Sequence, residues 1–265
     1  MPCNVYRLGS LSKASMSDIL SCTPRGDMVI FFGEVHQVGW IIQCEVELAR
    51  SMLDRGILGF IGLEMFNYRQ QKLLDAYIEG RIGWRELLNE YSKSKEGFDL
   101  ESYRSIIDYA RRNKVKLIGV MPPREEAAKV ARRGLPVIDE ISDSPVSSGD
   151  VKLDYMHYRD RILSMIPREG PMGRLDPRRI LEAQAYKDTV IAAIVANALE
   201  VYGTGLVVTG WAHSEISGSA PTRLIERSTS VSYLVITSRD NSLDEVKAEL
   251  ASLKGVIASF IALRE

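Results

Sequence analysis

Residues 29–36 read VIFFGEVH, an apolar, strand-like run that ends in glycine and then presents an acid and a histidine. Two further runs follow the same pattern, namely FIGLEM at residues 60–65 and LVVTGWAH at residues 206–213. In an open α/β sheet, ligands bind at the carboxyl ends of the strands, and a glycine there lets the backbone turn sharply or approach a ligand closely. The chain has only three histidines, and two of them follow these runs. We therefore expect one site that collects four side chains, Glu34, His36, Glu64 and His213.

The fold class follows from how apolar runs alternate with helical patterns. Runs rich in β-branched residues predict strands, and the helices between them favour a largely parallel sheet. We expect an α/β fold with a largely parallel sheet of about six strands, helices on both faces and a helical cap. The strands are expected at residues 28–33, 58–64, 115–120, 205–210, 231–238 and 255–262.

Two connections are much longer than the few residues that usually join elements. They cover residues 66–113 and 122–204, and each leaves the sheet at the carboxyl end of a strand. Both are therefore expected to form a helical cap over the site, within a single domain that covers residues 1–265.

A long helix is expected at about residues 177–202, because Asp176 and Pro177 form an N-cap followed by proline at the first helical position. Its second half carries an apolar stripe, which meets Gln184 and Asp188 when it is projected backwards. These two residues either line a ligand cavity or make structural hydrogen bonds to buried backbone groups. The sequence favours neither interpretation.

Composition excludes several classes of protein. The 265 residues carry a net charge of −1, so nothing favours a nucleic-acid partner or an anionic membrane surface. No apolar run approaches the ~18 residues of a transmembrane helix, and the N-terminal residues predict no signal peptide. The three scattered cysteines predict neither a disulfide framework nor a metal knuckle, which favours a reducing, cytoplasmic location. The expected partner is a small-molecule ligand, and the sequence is also compatible with a homodimer.

Two chemistries suit the expected site. Glu34 and His36 are two residues apart, which places both side chains on one face of an extended backbone. Glu64 ends the next expected strand, which should pair close to the first, and His213 ends a later one. Together the four residues would form a first-row metal set for iron, manganese or zinc. They would equally form a metal-free acid–base pair in which a carboxylate orients a histidine. The structural alternative is that Glu34 caps the next helix and that His213 only makes hydrogen bonds that stabilise the fold. Four such residues at strand ends together favour a functional site over this alternative.

Arg124 follows the third expected strand, directly after Pro122 and Pro123. Its guanidinium could hold a carboxylate or phosphate bidentately, and the helix that begins there adds its positive end. The chain has no phosphate-binding loop, dinucleotide fingerprint, nucleophile elbow or HExxH helix. This argues against kinases, dinucleotide-dependent dehydrogenases, ordinary serine hydrolases and thermolysin-like proteases.

Short motifs across about residues 28–225 resemble, in order, those of the ChaN family. They are GEVH at 33–36, GLEMF at 62–66, LDAYIEG at 74–80, PRE at 123–125, AQ at 183–184 with DT at 188–189, and GWAH at 210–213. This family belongs to a superfamily with the Tiki/TraB proteins and the erythromycin esterases.

The resemblance implies two different functions. ChaN-like proteins are associated with haem binding and iron uptake, whereas the wider superfamily includes hydrolases whose Gly-Glu-x-His and Gly-x-x-His motifs form the active site, with or without a metal. Haem or a divalent first-row metal is therefore the expected cofactor. The resemblance assigns the catalytic or metal-binding positions to Glu34, His36, Glu64 and His213, and supporting, cofactor-binding positions to Arg124, Gln184 and Asp188.

Overall fold

Eight strands form one mixed sheet in the computed structural model, which describes residues 3–22, 28–166, 176–252 and 254–264. The strands are β1 (Asn4–Arg7), β2 (Lys13–Ala14), β3 (Met28–Glu34), β4 (Phe60–Asn67), β5 (Lys116–Met121), β6 (Gly205–Gly210), β7 (Ser232–Arg239) and β8 (Phe260–Leu263). Their order across the sheet is β2-β1-β8-β7-β3-β6-β4-β5. The six expected strands are confirmed as β3 to β8, which run parallel. The first two strands were not expected, and they pair antiparallel at one edge.

Ten α-helices connect or follow these strands in the described part of the chain. They are α1 (Met16–Ser21), α2 (Gly39–Asp54), α3 (Gln71–Ile78), α4 (Trp84–Ser92), α5 (Arg104–Asn113), α6 (Arg124–Arg133), α7 (Met156–Ser164), α8 (Pro177–Tyr202), α9 (Ala220–Arg227) and α10 (Leu243–Ser252). Short 3-10 turns lie at Tyr68–Gln70, Leu135–Glu140, Ser148–Asp150 and Trp211–His213.

The sheet separates two apolar cores because successive strand side chains point to opposite faces. Ile30 and Phe32 of β3 pack on the side of α2 and of the helices α3 to α5. Val29 and Phe31 pack on the other side, against the second half of α8 and against α9. A third cluster joins α6, α7 and the first half of α8. Helices therefore cover both faces, as the alternation of elements predicts.

The strand order corrects one expectation from the sequence. Glu34 and Glu64 were expected on strands that lie close together, but β6 lies between β3 and β4. Gly210, at the end of β6, is in register with Glu34, and Val208 is in register with Leu63. His213 follows β6, so it enters the site from the strand between the two glutamates.

A disulfide corrects the interpretation of the cysteines. Cys3 before β1 and Cys44 on α2 are bonded, while Cys22 is free and exposed. The sequence did not predict this bond, because its partners are 41 residues apart and meet only when β1 joins the sheet. Disulfides are rare in reducing compartments, so the cysteines no longer favour a reducing, cytoplasmic location.

Breaking this bond is expected to lower the free energy of unfolding by about 2 kcal/mol, because the cross-link restricts the unfolded chain. Cys3→Ser and reduced wild-type protein should show the same loss in urea unfolding. Cys22→Ser should unfold like the oxidised wild type. Equal stability of oxidised and reduced wild-type protein would contradict the expectation.

Candidate functional site

The first half of the site is a histidine held by a buried glutamate at the end of β3. Glu34 is 1% exposed, and its Oε1 lies 2.7 Å from Nδ1 of His36. The hydroxyl of Tyr103, which lies just before α5, donates to the same oxygen at 2.6 Å. The helix after Glu34 has Val38 at its N-cap and no side-chain capping bond, so Glu34 orients His36 and does not cap α2.

The second half repeats this arrangement after β6. His213 ends the short turn that follows Gly210, and it is 7% exposed. Its Nδ1 lies 2.6 Å from Oδ1 of Asp188, on the buried face of α8. Each histidine is therefore held by a carboxylate at Nδ1, which leaves Nε2 as the nitrogen available for chemistry.

Glu64 of β4 lies between the two histidines. Its Oε1 is 3.8 Å from Nε2 of His36 and 3.8 Å from Nε2 of His213. Its Oε2 accepts a 2.5 Å hydrogen bond from the backbone N–H of Gly210. The separations at Oε1 exceed hydrogen-bond distance, so the three groups face a common point without being joined to one another.

Glycine is required at the ends of β3 and β6 because side chains of the site lie against the backbone there. A Cβ at Gly210 would lie 2.8 Å from Nε2 of His36 and 3.5 Å from Oε2 of Glu64. A Cβ at Gly33 would lie 2.6 Å from Oγ of Ser214. The glycines therefore make room for the site.

The carboxylates favour the charged form of both histidines. Burial alone would lower the pKa of His213, but the charges of Asp188 and Glu64 outweigh it and raise the pKa above its ordinary value. Burial likewise opposes protonation of His36, and its hydrogen bond to Glu34 and the charge of Glu64 raise its pKa overall. Burial would raise the pKa of Glu64, but the two histidines lower it. The three groups thus support one another's charges.

Asp188→Asn is expected to lower the pKa of His213, because asparagine removes the negative charge beside Nδ1 that helps to raise it. Since the pKa of His213 is raised in the folded protein, its protonation adds stability that is complete below about pH 6.5. This contribution is lost as the pH rises through the folded pKa. NMR titration of the ring nitrogens would measure the change, with His157 as the internal control. An unchanged His213 titration in Asp188→Asn would contradict this assignment.

Sequence reasoning missed three residues next to the site. Glu45 on α2 is 0% exposed, and burial together with neighbouring Glu34 raises its pKa well above the ordinary value, which favours its neutral form. Burial and Glu34 also raise the pKa of Tyr103. Lys187 on α8 has its pKa lowered by burial and carries its charge near Glu64 and Asp188. The amphipathic pattern of α2 places Glu45 among apolar residues, which is the one signal that could have singled it out.

Residues of this site line a cavity of about 470 Å³. Glu34, His36, Gln184 and His213 supply polar groups, and the wall across from them is apolar. Trp211 lines the cavity between two guanidinium groups, with those of Arg161 and Arg239 centred 4.5 and 4.8 Å from its ring. The apolar wall consists of Ile162, Met165, Ile166 and Ile180.

The structure brings most of the predicted residues together. Glu34, His36 and His213 line the cavity, as does Gln184 on the polar first half of α8, and Glu64 lies between the histidines. Asp188 makes the structural contact with His213 and does not line the cavity. Arg124 begins α6 and lines a different cavity, which shares no described residue with the first.

Both long insertions contribute to the site. Phe98, from residues 66–113, packs edge-on against the ring of His36 with centroids 5.0 Å apart. Met165 and Ile180, from residues 122–204, belong to the apolar wall. The sequence of residues 166–176, IPREGPMGRLD, predicts a loop, and most of these residues lie outside the described part of the chain. The division into a single domain with two cap insertions stays a prediction.

Neither a metal-holding group nor a membrane helix is found in the part of the chain that the structure describes. No three or more His, Cys, Asp or Glu side chains there are arranged to hold a metal ion. In the predicted metal set, Glu34 is engaged by His36 and Tyr103. No helix within the described ranges is long and apolar enough to cross a membrane.

Comparison with known proteins places the chain among haem-related relatives. The family model described as "Haem-binding uptake, Tiki superfamily, ChaN" matches residues 24–224. No curated protein matches the sequence.

Solved structures show a similar fold. ChaN of Campylobacter jejuni, described with cofacial haem binding, superposes with a TM-score of 0.70 at 16% identity, covering 99% of this chain and 97% of its own. The erythromycin esterase EreC in its open conformation has a TM-score of 0.49 at 17% identity, covering 90% of this chain and 77% of its own. The type III effector HopBA1 has a TM-score of 0.46 at 15% identity, covering 89% of this chain and 87% of its own. The first of these likenesses shows a shared fold.

Proposed function

This chain belongs to the ChaN family of the Tiki superfamily, and on that premise we propose that it binds haem in the cavity between α7, α8 and the ends of β3 and β6. One observation carries the proposal: an apolar wall faces a histidine whose Nδ1 is held and whose Nε2 is free. A planar apolar macrocycle with a central metal needs both features.

The residues of the cavity fit haem. His36 is the more accessible of the two histidines, with 38% of its side chain exposed against 9% for His213. A haem-ligating histidine typically donates its other ring nitrogen to a carboxylate, as His36 does to Glu34. His36 would therefore hold the iron, while Ile162, Met165 and Ile180 would contact the ring. Haem, when bound, supplies an iron centre for ligand or electron transfer.

Three tyrosines of the two long insertions lie outside this cavity. The hydroxyls of Tyr68 and Tyr186 donate to Glu126 of α6, and that of Tyr77 donates to Asp108. None of these three tyrosines lines the cavity. Their positions favour structural roles and leave His36 as the preferred ligand.

Haem titration followed by absorbance tests the proposal. A stoichiometric Soret shift is expected for the wild type. Met165→Glu places a charge in the apolar wall, and we expect it to weaken binding about tenfold, or about 1.4 kcal/mol. Met156 begins α7, the helix that ends just before Met165, is 70% exposed and does not line the cavity, so Met156→Glu serves as the matched control. No Soret shift in the wild type, or equal affinity in both variants, would reject this site.

A hydrolase of an ester or amide is the second candidate, favoured by the two carboxylate-held histidines that face Glu64. Here Nε2 of His36 would take a proton from water, with Glu34 as its orienting group, and His213 would stabilise the developing negative charge. A metal-assisted version would need Nε2 of His36, Nε2 of His213 and Oε1 of Glu64 to rearrange around the ion, because no three such groups in the described residues are arranged to hold one. Elemental analysis together with hydrolysis of a nitrophenyl ester would distinguish these versions. Hydrolysis without a Soret shift would favour this candidate over haem binding.

A further inference from the structure

The cavity around Arg124 is separate from the proposed haem site and is strongly basic. It measures about 740 Å³, within the range of small-molecule sites. Two acids, Glu96 and Glu125, also line it. Its cationic lining residues are Arg69, Lys93, Lys95, Arg124 and Arg132.

Three of these cations have no acidic partner within ion-pair distance in the described structure. Arg69 pairs with Glu126 at 2.8 Å and Lys93 with Glu90 at 2.6 Å, which accounts for two. The remaining three, namely Lys95, Arg124 and Arg132, make no ion pair with any described residue. Their charges are available to a ligand.

The chain around Arg124 is shaped to hold its guanidinium. Nη1 of Arg124 donates to the backbone carbonyl of Lys95 at 3.4 Å. A Cβ at Gly97, which has φ +95°, would lie 3.0 Å from the same Nη1, so a larger residue there would crowd it. The side chain is thus placed beside the cavity by the loop before α5.

The helix beneath adds to the positive potential. α6 begins at Arg124 and has ten residues; its N-cap, Pro123, supplies no side-chain hydrogen bond, and the backbone N–H of Arg124 is bonded to the carboxyl of Glu96. The amino end of a helix attracts anions, and an arginine fork binds phosphate bidentately.

One carboxyl group that lines the cavity, that of Glu96, does not exclude a bound anion. Glu96 accepts hydrogen bonds from Nδ2 of Asn67 at 2.6 Å and from the backbone N–H of Arg124 at 3.3 Å. Burial raises its pKa, which favours its neutral form. Glu96 therefore opposes a bound anion less than an ordinary carboxylate would.

We infer that this cavity binds a small molecule bearing more than one phosphate group, held by Lys95 and Arg124 at the amino end of α6 and by Arg132 in the last turn of that helix. Three unpaired cations and a volume larger than a single phosphate needs point to an oligophosphate. The inference does not rest on haem binding, because the two cavities have separate linings.

Calorimetric titration with inorganic pyrophosphate, at constant ionic strength, tests this assignment. Wild-type protein should bind pyrophosphate more tightly than orthophosphate or citrate. The double variant Arg124→Ala/Arg132→Ala should lose at least about tenfold in affinity.

The double variant Arg85→Ala/Arg112→Ala is the matched control, because it removes the same charge from exposed arginines outside the cavity. It should bind pyrophosphate like the wild type. Three results would overturn the inference: no binding to the wild type, equal losses in the two double variants, or tighter binding of citrate than of pyrophosphate. The last would assign the cavity to a carboxylate ligand. Haem titration of the wild type, run in parallel, reports on the other site alone.

Discussion

His36→Ala is expected to lower haem affinity at least about a hundredfold, or about 2.8 kcal/mol, and to abolish the histidine-ligated Soret band. The reason is that Nε2 of His36 is the accessible nitrogen that could ligate the iron, while Glu34 fixes the ring through its contact with Nδ1. Removing the ring deletes the iron ligand and leaves the apolar wall intact. Absorbance titration of the purified variant measures both effects.

The control for this prediction is His157→Ala, because His157 lies on α7 and does not line the cavity. Circular dichroism and a urea transition would show that His36→Ala still folds, as expected for a side chain that is 38% exposed. If His36→Ala keeps wild-type affinity and an unchanged Soret band, His36 is not the ligand. Loss of binding in His157→Ala as well would point to a general effect on the fold.

Gly210→Ala is expected to weaken haem binding about as strongly, roughly a hundredfold, although it removes no functional group. The new methyl would lie 2.8 Å from Nε2 and 3.1 Å from Cε1 of His36. The backbone at Gly210, with φ −54° and ψ 140°, suits alanine, so the strain falls on the histidine. His36 must then turn away from Glu34, and its Nε2 no longer faces Glu64.

Gly39→Ala is the matched control for Gly210→Ala, because a Cβ at Gly39 meets nothing within 4 Å. It should bind haem like the wild type. The hydrogen bond from the N–H of residue 210 to Glu64 can persist in Gly210→Ala, so we expect a stability loss of less than about 1 kcal/mol. Wild-type affinity in Gly210→Ala would show that the ligand does not approach Nε2 of His36.

The strand ends and their chemistry could be predicted from the sequence because they depend on local pattern. Apolar β-branched runs that end at Gly33 and Gly210 identify both the strands and the places where backbone and side chains crowd together. The polar first half of α8 was also readable, since the apolar stripe through Ile191 and Val195 fixes which face is buried. Gln184 lines the cavity, whereas Asp188 bonds the side chain of His213 and not a backbone group, which neither interpretation of that face described.

The strand order and the supporting residues could not be predicted, because they depend on contacts between distant segments. Local pattern does not show that β6 lies between β3 and β4. Tyr103 reaches Glu34 across 69 residues, and Cys3 reaches Cys44 only through β1. Arg124 follows a strand as expected, but its position relative to the histidines is set by how α6 packs on α8.

The position of β6 also determines when, during synthesis, the chain can form the proposed binding site. β3 and β4 do not pair with each other, and each acquires the strand between them only when residues 205–210 have left the ribosome. Until then His36 follows a strand without a partner and Glu64 belongs to the β4–β5 pair, whose edge is open, and such intermediates are prone to aggregate. Ligand supplied to a nascent chain shorter than about 213 residues should find no site. Under the proposed function, haem can therefore bind only after the sheet has closed.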